Sequence, residues 1–196
     1  MTRIVAGSAR GRRLRTPAGL ATRPTSERVR EAMFSSVQSI LGSLAGLRVL
    51  DLFAGSGALG LEALSRGASH ATFVETSRRG VDVIRRNAAE LSMPMVAVMA
   101  TKAELLMSTP PIGGPFDLVL ADPPYDLPNR DVERLLRQLL DNGWLSRDCL
   151  VVLERSSRQA EPAWPDGLHR IRNRSYGETM LWYVARTPAA STERED

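Results

Sequence analysis

The chain has 196 residues, a net charge of +4 and 43% hydrophobic residues. This length and apolar content are typical of one folded domain with a buried core. The single cysteine, Cys149, excludes a disulfide framework within the chain. The N-terminus is basic and lacks the apolar core of a signal peptide, and no apolar run approaches the ~18 residues of a membrane span. We therefore expect a soluble cytoplasmic protein.

Positive charge is concentrated at the start of the chain. Residues 1–30 contain eight arginines and one acid, Glu27, so this segment carries +7 and the remainder carries −3. Such clustering favours a segment that faces nucleic acid, although a solvated basic face is the alternative.

The N-terminal elements are predicted to be a hairpin and a helix. Residues 3–15 hold two short extended stretches with glycines between them, which indicates a β-hairpin. Residues 16–24 are rich in proline and glycine and are predicted to be a loop. Thr25 or Ser26 can cap a helix that runs to about Leu41, with its apolar residues on one face.

From residue 47 onward, short apolar strands alternate with helices, which predicts a parallel sheet that is buried on both faces. The predicted strands are 48–53, 70–75, 95–100, 116–121 and 149–154, and the predicted helices are 57–66, 77–91 and 130–142. A closing antiparallel pair is expected at 168–174 and 179–186, and a disordered tail at 187–196. We divide the chain into a basic, RNA-facing extension, an α/β core and the tail, at 1–43, 44–186 and 187–196.

A glycine loop lies between the first core strand and its helix. Gly55 and Gly57 would let the backbone approach a ligand, and Gly60 would let the helix pack closely on the strand. Glu75 ends the next strand and could accept the hydroxyl groups of an adenosine ribose. The same spacing fits a dinucleotide site or a purely structural turn. Asp51, just before the loop, favours the ammonium group of a methionine moiety over a pyrophosphate.

The tetrapeptide Asp122-Pro123-Pro124-Tyr125 directly follows an apolar strand. Ligands of open α/β sheets bind outside the carboxyl ends of the strands, so we expect the tetrapeptide at the same edge as the glycine loop. The two prolines stiffen the turn. Asp122 and the Pro123 carbonyl then offer two acceptors at a fixed separation, which suits the two N–H groups of an exocyclic amine. Tyr125 offers a face for base stacking, which contributes ~1–3 kcal/mol.

Together these motifs resemble the RsmD-type enzymes, which methylate the N2 amine of one guanine in small-subunit ribosomal RNA. The resemblance covers about residues 3–186. The segments that carry it are RIVAGSARGRRLRTP, TRPTSERVREAMFSSV, LDLFAGSGALGLEALSRGA, FVETSRR, NAAEL, DPPY and YGETMLWYVAR.

The resemblance implies a Rossmann-like S-adenosylmethionine methyltransferase sheet of seven strands, the last antiparallel, with a small N-terminal hairpin-plus-helix extension. It implies 16S ribosomal RNA, in the 30S subunit or an assembly intermediate, as the partner, and no metal or membrane. Asp122, Pro123 and Tyr125 are the implied catalytic residues. The expected cofactor-binding residues are Asp51, Ala54, Gly55, Gly57, Glu75, Thr76, Thr101 and Asp122. Arginines expected to bind RNA are Arg10, Arg12, Arg13, Arg15, Arg23 and Arg28.

The position after the third core strand departs from related enzymes, many of which place an acid there to contact the adenine amine. This chain has Ala100-Thr101-Lys102-Ala103 instead. Either Thr101 or the backbone takes that role, or the adenine contact is weaker.

Two other functions remain open from the sequence. A DNA adenine-N6 methyltransferase would share the DPPY chemistry, but the chain has no obvious sequence-reading domain. A nucleic-acid-binding module with a vestigial cofactor fold would not need the intact glycines and DPPY motif.

Overall fold

The computed structural model describes residues 2–17 and 27–187. The hairpin is confirmed as β1 (Thr2–Arg3) paired antiparallel with β2 (Arg13–Leu14). Helix α1 spans Glu27–Leu41. The predicted caps Thr25 and Ser26, Arg23 and the tail beyond Thr187 lie outside the described residues.

The core contains seven strands and four further helices among the described residues. The strands are β3 (Arg48–Leu52), β4 (His70–Val74), β5 (Val96–Met99), β6 (Phe116–Ala121), β7 (Leu145–Ser156), β8 (Leu168–Tyr176) and β9 (Thr179–Arg186). The helices are α2 (Ala58–Ser65), α3 (Arg78–Glu90), α4 (Ala103–Leu106) and α5 (Asn129–Asp141).

The sheet has the order β5-β4-β3-β6-β7-β9-β8. Strands β3 to β7 are parallel where they pair, and β9 runs antiparallel to both β7 and β8. The predicted seven-stranded sheet with an antiparallel last strand is therefore confirmed.

Several strand boundaries differ from the sequence prediction by one or two residues, and the start of β7 differs by four. Phe53 adopts a left-handed φ of 61°, which few non-glycine residues adopt, so β3 ends at Leu52. Strand β7 begins at Leu145 rather than at residue 149, because Leu145 pairs with Phe116 before a register shift. Because Arg147 and Asp148 are charged and exposed, the apolar pattern of the sequence does not reveal this extension.

Side chains on alternating strand positions fill two cores, one on each face of the sheet. In β6, Leu118 and Leu120 pack with the hairpin, α1, α2 and α3. Val119 and Ala121 point the other way and pack with α4 and α5. Helix α4 has only four residues, too few for a periodic pattern to reveal it. The division of the chain at residue 43 stays a prediction.

A buried carboxylate fastens the hairpin to the core. Glu62 of α2 is fully buried and accepts the backbone N–H groups of Val5 and Ala6 at 2.7 and 2.9 Å. Arg30 and Arg66 approach the same carboxylate at 3.5 and 2.9 Å. Burial lowers the pKa of Arg30, and the charge of Glu62 opposes that shift. The N-terminal extension is thus held by buried polar contacts as well as by apolar packing.

We predict that Glu62→Gln destabilises the chain by about 3–5 kcal/mol, because it leaves the buried Arg30 charge without its carboxylate. Urea denaturation measures the free energy of unfolding. Glu133→Gln is the matched control, since Glu133 pairs with Arg137 at 3.5 Å on the surface and should cost at most about 1 kcal/mol. Equal effects of the two substitutions would contradict the anchoring role of Glu62.

Candidate active site

Three neighbouring parallel strands end at one edge of the sheet and bring the motifs together. The glycine loop follows β3, Glu75 follows β4, and Asp122 follows β6, and these strands are adjacent in the order β4-β3-β6. A cavity of about 840 Å³ opens there, within the range of small-ligand sites. Of the predicted residues, those that line it are Gly55, Glu75, Thr76, Thr101, Asp122, Pro123 and Tyr125. Asp51, Ala54 and Gly57 are not among the residues that line this cavity.

Internal packing constrains the glycine loop at two of its glycines, and a third borders the cavity. A Cβ on Gly60 would lie 2.4 Å from the Phe73 ring, so the predicted close packing of α2 on the sheet is confirmed. A Cβ on Gly57 would meet Ile84 and Phe73 at 3.2 and 3.3 Å. Gly57 therefore faces the packed interior between β4 and α3, whereas Gly55 borders the cavity.

Asp51 lies behind the loop rather than in the cavity. Its side chain is buried and accepts the N–H of Gly60 at 2.8 Å, which fastens the start of α2 to β3. Burial, with a smaller contribution from the charge of Glu75, raises the pKa of Asp51 to about 7, although the hydrogen bond from Gly60 opposes this shift. The structure thus gives Asp51 a role in holding the loop, and its predicted contact with a methionine ammonium stays a prediction.

Glu75 lines the cavity and also fixes the surrounding backbone. One carboxylate oxygen accepts the N–H of Gly55 at 2.8 Å, and the other accepts the N–H of Ser77 at 2.7 Å. Each carboxylate oxygen can accept a second hydrogen bond, so both remain able to bind ligand hydroxyl groups.

Gly80 is a site residue that the sequence reasoning missed. A Cβ at this position would lie 2.7 Å from Cγ of Glu75 and 3.1 Å from the Gly55 carbonyl oxygen. Only glycine lets α3 pack this closely against Glu75. A lone glycine one turn into a helix gives little signal in a single sequence.

The DPPY loop, which begins with residues 122–125, also lines the cavity. Asp122 is partly buried, Pro123 is buried and Tyr125 is 37% exposed. The loop turns back on itself through a bond from Leu127 N–H to the Pro124 carbonyl at 3.0 Å. Gln159 donates its Nε2 to the Tyr125 carbonyl at 2.7 Å. A carboxylate and an exposed aromatic ring therefore share one cavity with the Glu75 carboxylate.

The arginines predicted to bind RNA fall into two groups. Arg10, Arg12, Arg13, Arg15 and Arg28 are all exposed, and Arg10 and Arg28 line a polar cleft of about 490 Å³ between the hairpin and α1. In contrast, Arg12 donates to the Glu90 carbonyl, and Arg15 pairs with the Glu90 carboxylate at 2.7 Å. Arg12 and Arg15 thus fasten the hairpin to the end of α3.

Asn87 of α3 connects the hairpin to the glycine loop. This buried side chain donates to the carbonyls of Arg15 and Ser56 at 3.1 and 3.0 Å. Its oxygen accepts the N–H of Arg15 at 2.8 Å. The end of the basic hairpin and the loop beside the cavity are therefore joined through one amide.

The sequence matches the family described as "Conserved hypothetical protein 95" over residues 2–185. The chain belongs to this family. Ribosomal RNA small subunit methyltransferase D of Escherichia coli K12 is 36% identical over 170 residues, which span 86% of this chain and 82% of that protein. The RsmD-type resemblance drawn from the motifs is thereby confirmed.

Solved structures agree with the family's fold. The Escherichia coli protein yhhF superimposes with a TM-score of 0.83 at 34% identity, covering 96% of this chain and 99% of that one. Magnesium protoporphyrin IX methyltransferase from Synechocystis, solved with bound S-adenosylmethionine, has a TM-score of 0.59 at 17% identity. That match covers 81% of this chain and 79% of the other, and it shows the fold alone. This chain therefore has the architecture of S-adenosylmethionine-dependent methyltransferases.

Within residues 2–17 and 27–187, no helix has the length and apolar character needed to cross a membrane. In the same ranges, no group of three or more histidine, cysteine, aspartate or glutamate side chains could hold a metal ion.

The raised pKa of Asp51 predicts a pH-dependent stability. Its ordinary value is 3.8 and its folded value about 7, so between these pH values the folded chain retains a proton that the unfolded chain has lost. Asp51 therefore makes the free energy of unfolding decrease as pH rises from about 4 to about 7, with no further decrease above that range.

Asp51→Asn should remove this pH-dependent contribution, because an amide does not titrate in this range. The amide oxygen can still accept the Gly60 N–H, so the hydrogen bond is kept. Urea denaturation at several pH values gives the comparison, with the exposed Asp82→Asn as control. If wild type and Asp51→Asn lost the same stability between pH 5 and pH 7, the protonation assigned to Asp51 would be wrong.

Proposed function

We infer that this chain transfers a methyl group from S-adenosylmethionine to ribosomal RNA, and we propose that the acceptor is the N2 amine of one guanine in 16S ribosomal RNA. The observation that carries the proposal is the placement of Asp122, Pro123 and Tyr125 in the same cavity as Glu75. The name of the Escherichia coli relative supports small-subunit ribosomal RNA as the substrate class. Such a substrate would place the protein in the cytoplasm, with the 30S subunit or an assembly intermediate as its partner.

The cavity fits the cofactor in size and donor chemistry. Its volume of about 840 Å³ lies in the range of cofactor sites, and Glu75 supplies a carboxylate for the ribose hydroxyls. Gly55, Thr76 and Thr101 line the same space, and the backbone or Thr101 would contact the adenine. We assign Asp51, Ala54 and Gly57 to shaping the loop around the cofactor's methionine end. Bound S-adenosylmethionine supplies an electrophilic methyl group on a sulfonium.

Asp122 and the Pro123 carbonyl are proposed to bind the two N–H groups of the target amine. The lone pair of an aryl amine is delocalised into its ring, so the amine is a weak nucleophile. Two acceptors would raise the electron density on nitrogen and stabilise the positive charge that develops as the N–C bond forms and the sulfonium C–S bond breaks to leave a thioether. The methylated amine would then lose one proton. Because that charge is largest in the transition state, the interaction accelerates the step rather than only tightening binding.

Tyr125 is proposed to stack on the target base. Tyr125 is 37% exposed and lines the cavity, where a base displaced from its helix could reach it. An amine within a stacked helix is not accessible to the cofactor, so the base must be looped out or splayed.

The basic N-terminal face is proposed to bind the RNA backbone. Arg10, Arg13 and Arg28 are exposed there and can reach phosphates. Arg12 and Arg15 are assigned mainly to holding the hairpin, since both bond to Glu90. Phosphate contacts of this kind position the substrate and carry little sequence information.

Identification of the methylated nucleoside tests the proposed function. The substrate is 30S particles that lack the modification, incubated with the protein and labelled S-adenosylmethionine. Nucleoside mass spectrometry should find the label in N2-methylguanosine. Label in N6-methyladenosine, with duplex DNA as the better acceptor, would instead favour a DNA adenine methyltransferase. Absence of cofactor binding in calorimetry would favour a binding module.

Asp122→Ala is predicted to lower kcat by ~10²–10⁴-fold, the usual contribution of a positioned catalytic group. The affinity for S-adenosylmethionine, measured by calorimetry, should change much less. Asp126→Ala is the matched control, because Asp126 is an exposed aspartate of the same loop that does not line the cavity. Turnover close to wild type in Asp122→Ala would refute its role.

Replacing Arg10 and Arg13 with glutamine is predicted to weaken binding to 30S particles and to flatten its salt dependence. The slope of log K against log salt should decrease by about 1–2, from the loss of two phosphate contacts. The control replaces Arg137 and Arg147, which are also exposed but lie outside the hairpin. An equal change of slope in the control, or no change in either variant, would mean that the hairpin does not contact RNA.

A further inference from the structure

Arg155 is a fully buried arginine near the end of β7, directly beside the DPPY loop. Strand β6 ends at Ala121, which pairs with Leu153. Strand β7 continues beyond this pair and remains hydrogen-bonded to β9, where Arg155 pairs with Met180. Arg155 therefore stands on rigid sheet at the point where the chain leaves β6 as an irregular loop.

The guanidinium bonds to three separate points of that loop. Its Nη1 donates to the Pro124 carbonyl at 3.2 Å. Its Nη2 donates to the Leu127 carbonyl at 2.5 Å and to Oδ1 of Asn129 at 3.3 Å. These acceptors extend from the DPPY motif to the first residue of α5. Because the guanidinium is planar and its donors have fixed directions, it fixes the relative positions of all three acceptors.

The electrostatics also connect Arg155 to the motif. Burial lowers the pKa of Arg155, while the nearby groups of Asp122 and Tyr125 raise it. Burying a charged group costs desolvation energy, and an apolar side chain of similar size often gives equal or greater stability. The three loop contacts therefore point to a role in local geometry rather than in overall stability.

We propose that Arg155 is a positioning residue for methyl transfer. By holding the Pro124 carbonyl and the segment that follows, it keeps Asp122 and the Pro123 carbonyl at the separation that the target amine requires. The inference depends on the role proposed above for Asp122. Its effect is expected on kcat, because the contacts act on the geometry of the reacting groups and not on the Glu75 side of the cavity.

The test compares Arg155→Met, Arg155→Lys and the control Arg186→Met. Arg186 is a partly buried arginine that donates to the Leu145 carbonyl at 3.0 Å, at the opposite end of β7. Arg155→Met should lower kcat by roughly 10–10²-fold, the usual cost of misplacing a reacting group by about 1 Å. Arg155→Lys should be intermediate, since an ammonium keeps the charge but lacks the planar fork. Arg186→Met should leave kcat unchanged. In all three variants the fold-change in cofactor affinity should be smaller than the fold-change in kcat of Arg155→Met.

The double variant Arg155→Met/Asp122→Ala separates positioning from a general structural role. Because Arg155 is proposed to act through Asp122 and the Pro123 carbonyl, the double variant should lose less turnover than the product of the two single losses. Wild-type turnover in Arg155→Met, or a full multiplication of the two losses, would overturn the proposal. If Arg155→Met does not fold, Arg155→Lys replaces it in the same comparison.

The measured quantity is total methyl transfer relative to wild type, whichever nucleoside carries the label. A different labelled base would therefore refute the guanine assignment without affecting the comparison between the Arg155 variants.

Discussion

The parallel alignment of three adjacent strands is the constraint on which the site depends. Parallel strands point their carboxyl ends the same way, so whatever follows β4, β3 and β6 must meet at one edge. Glu75, the glycine loop and Asp122 are distant in sequence, yet each lies immediately or within a few residues after one of these strands. The apolar contacts that bury both faces of the sheet thus also set the separation between the proposed ribose-binding carboxylate and the proposed amine-binding carboxylate.

Buried polar side chains then fix the irregular segments that the sheet alone leaves undefined. Glu62 binds the start of the hairpin, Asn87 binds its end, and Arg155 binds the loop after β6. In each case a side chain on a regular element satisfies backbone groups that would otherwise lack partners, as buried polar groups require. Asn87 also binds the Ser56 carbonyl, so the basic face and the cofactor loop share one support. The proposed RNA surface and the proposed reaction centre are consequently parts of one packed structure.

The local parts of this arrangement could be predicted from the sequence. Runs of apolar residues predicted the strands, because burial on both faces of a sheet requires such runs. The residues that directly follow these strands predicted the position of the cavity. The contacts of Glu62, Asn87 and Arg155 could not be predicted, since their partners lie 57, 72 and 31 residues away. Nor could the basic pattern separate Arg10, which lines the polar cleft, from Arg15, whose partner Glu90 is brought near only by the fold. Nor did the sequence indicate that Asp51 accepts the Gly60 N–H, and its contact with the cofactor stays a prediction.

A crystal structure of the protein with S-adenosylhomocysteine would test the central claim most directly, namely that one cavity joins Glu75 to the Asp122–Tyr125 loop. The adenosine should occupy the cavity, with its ribose hydroxyls within hydrogen-bonding distance of the Glu75 carboxylate and its sulfur facing Asp122 and Pro123. A sulfur directed away from Asp122, or a nucleoside bound elsewhere on the sheet, would contradict the proposed site.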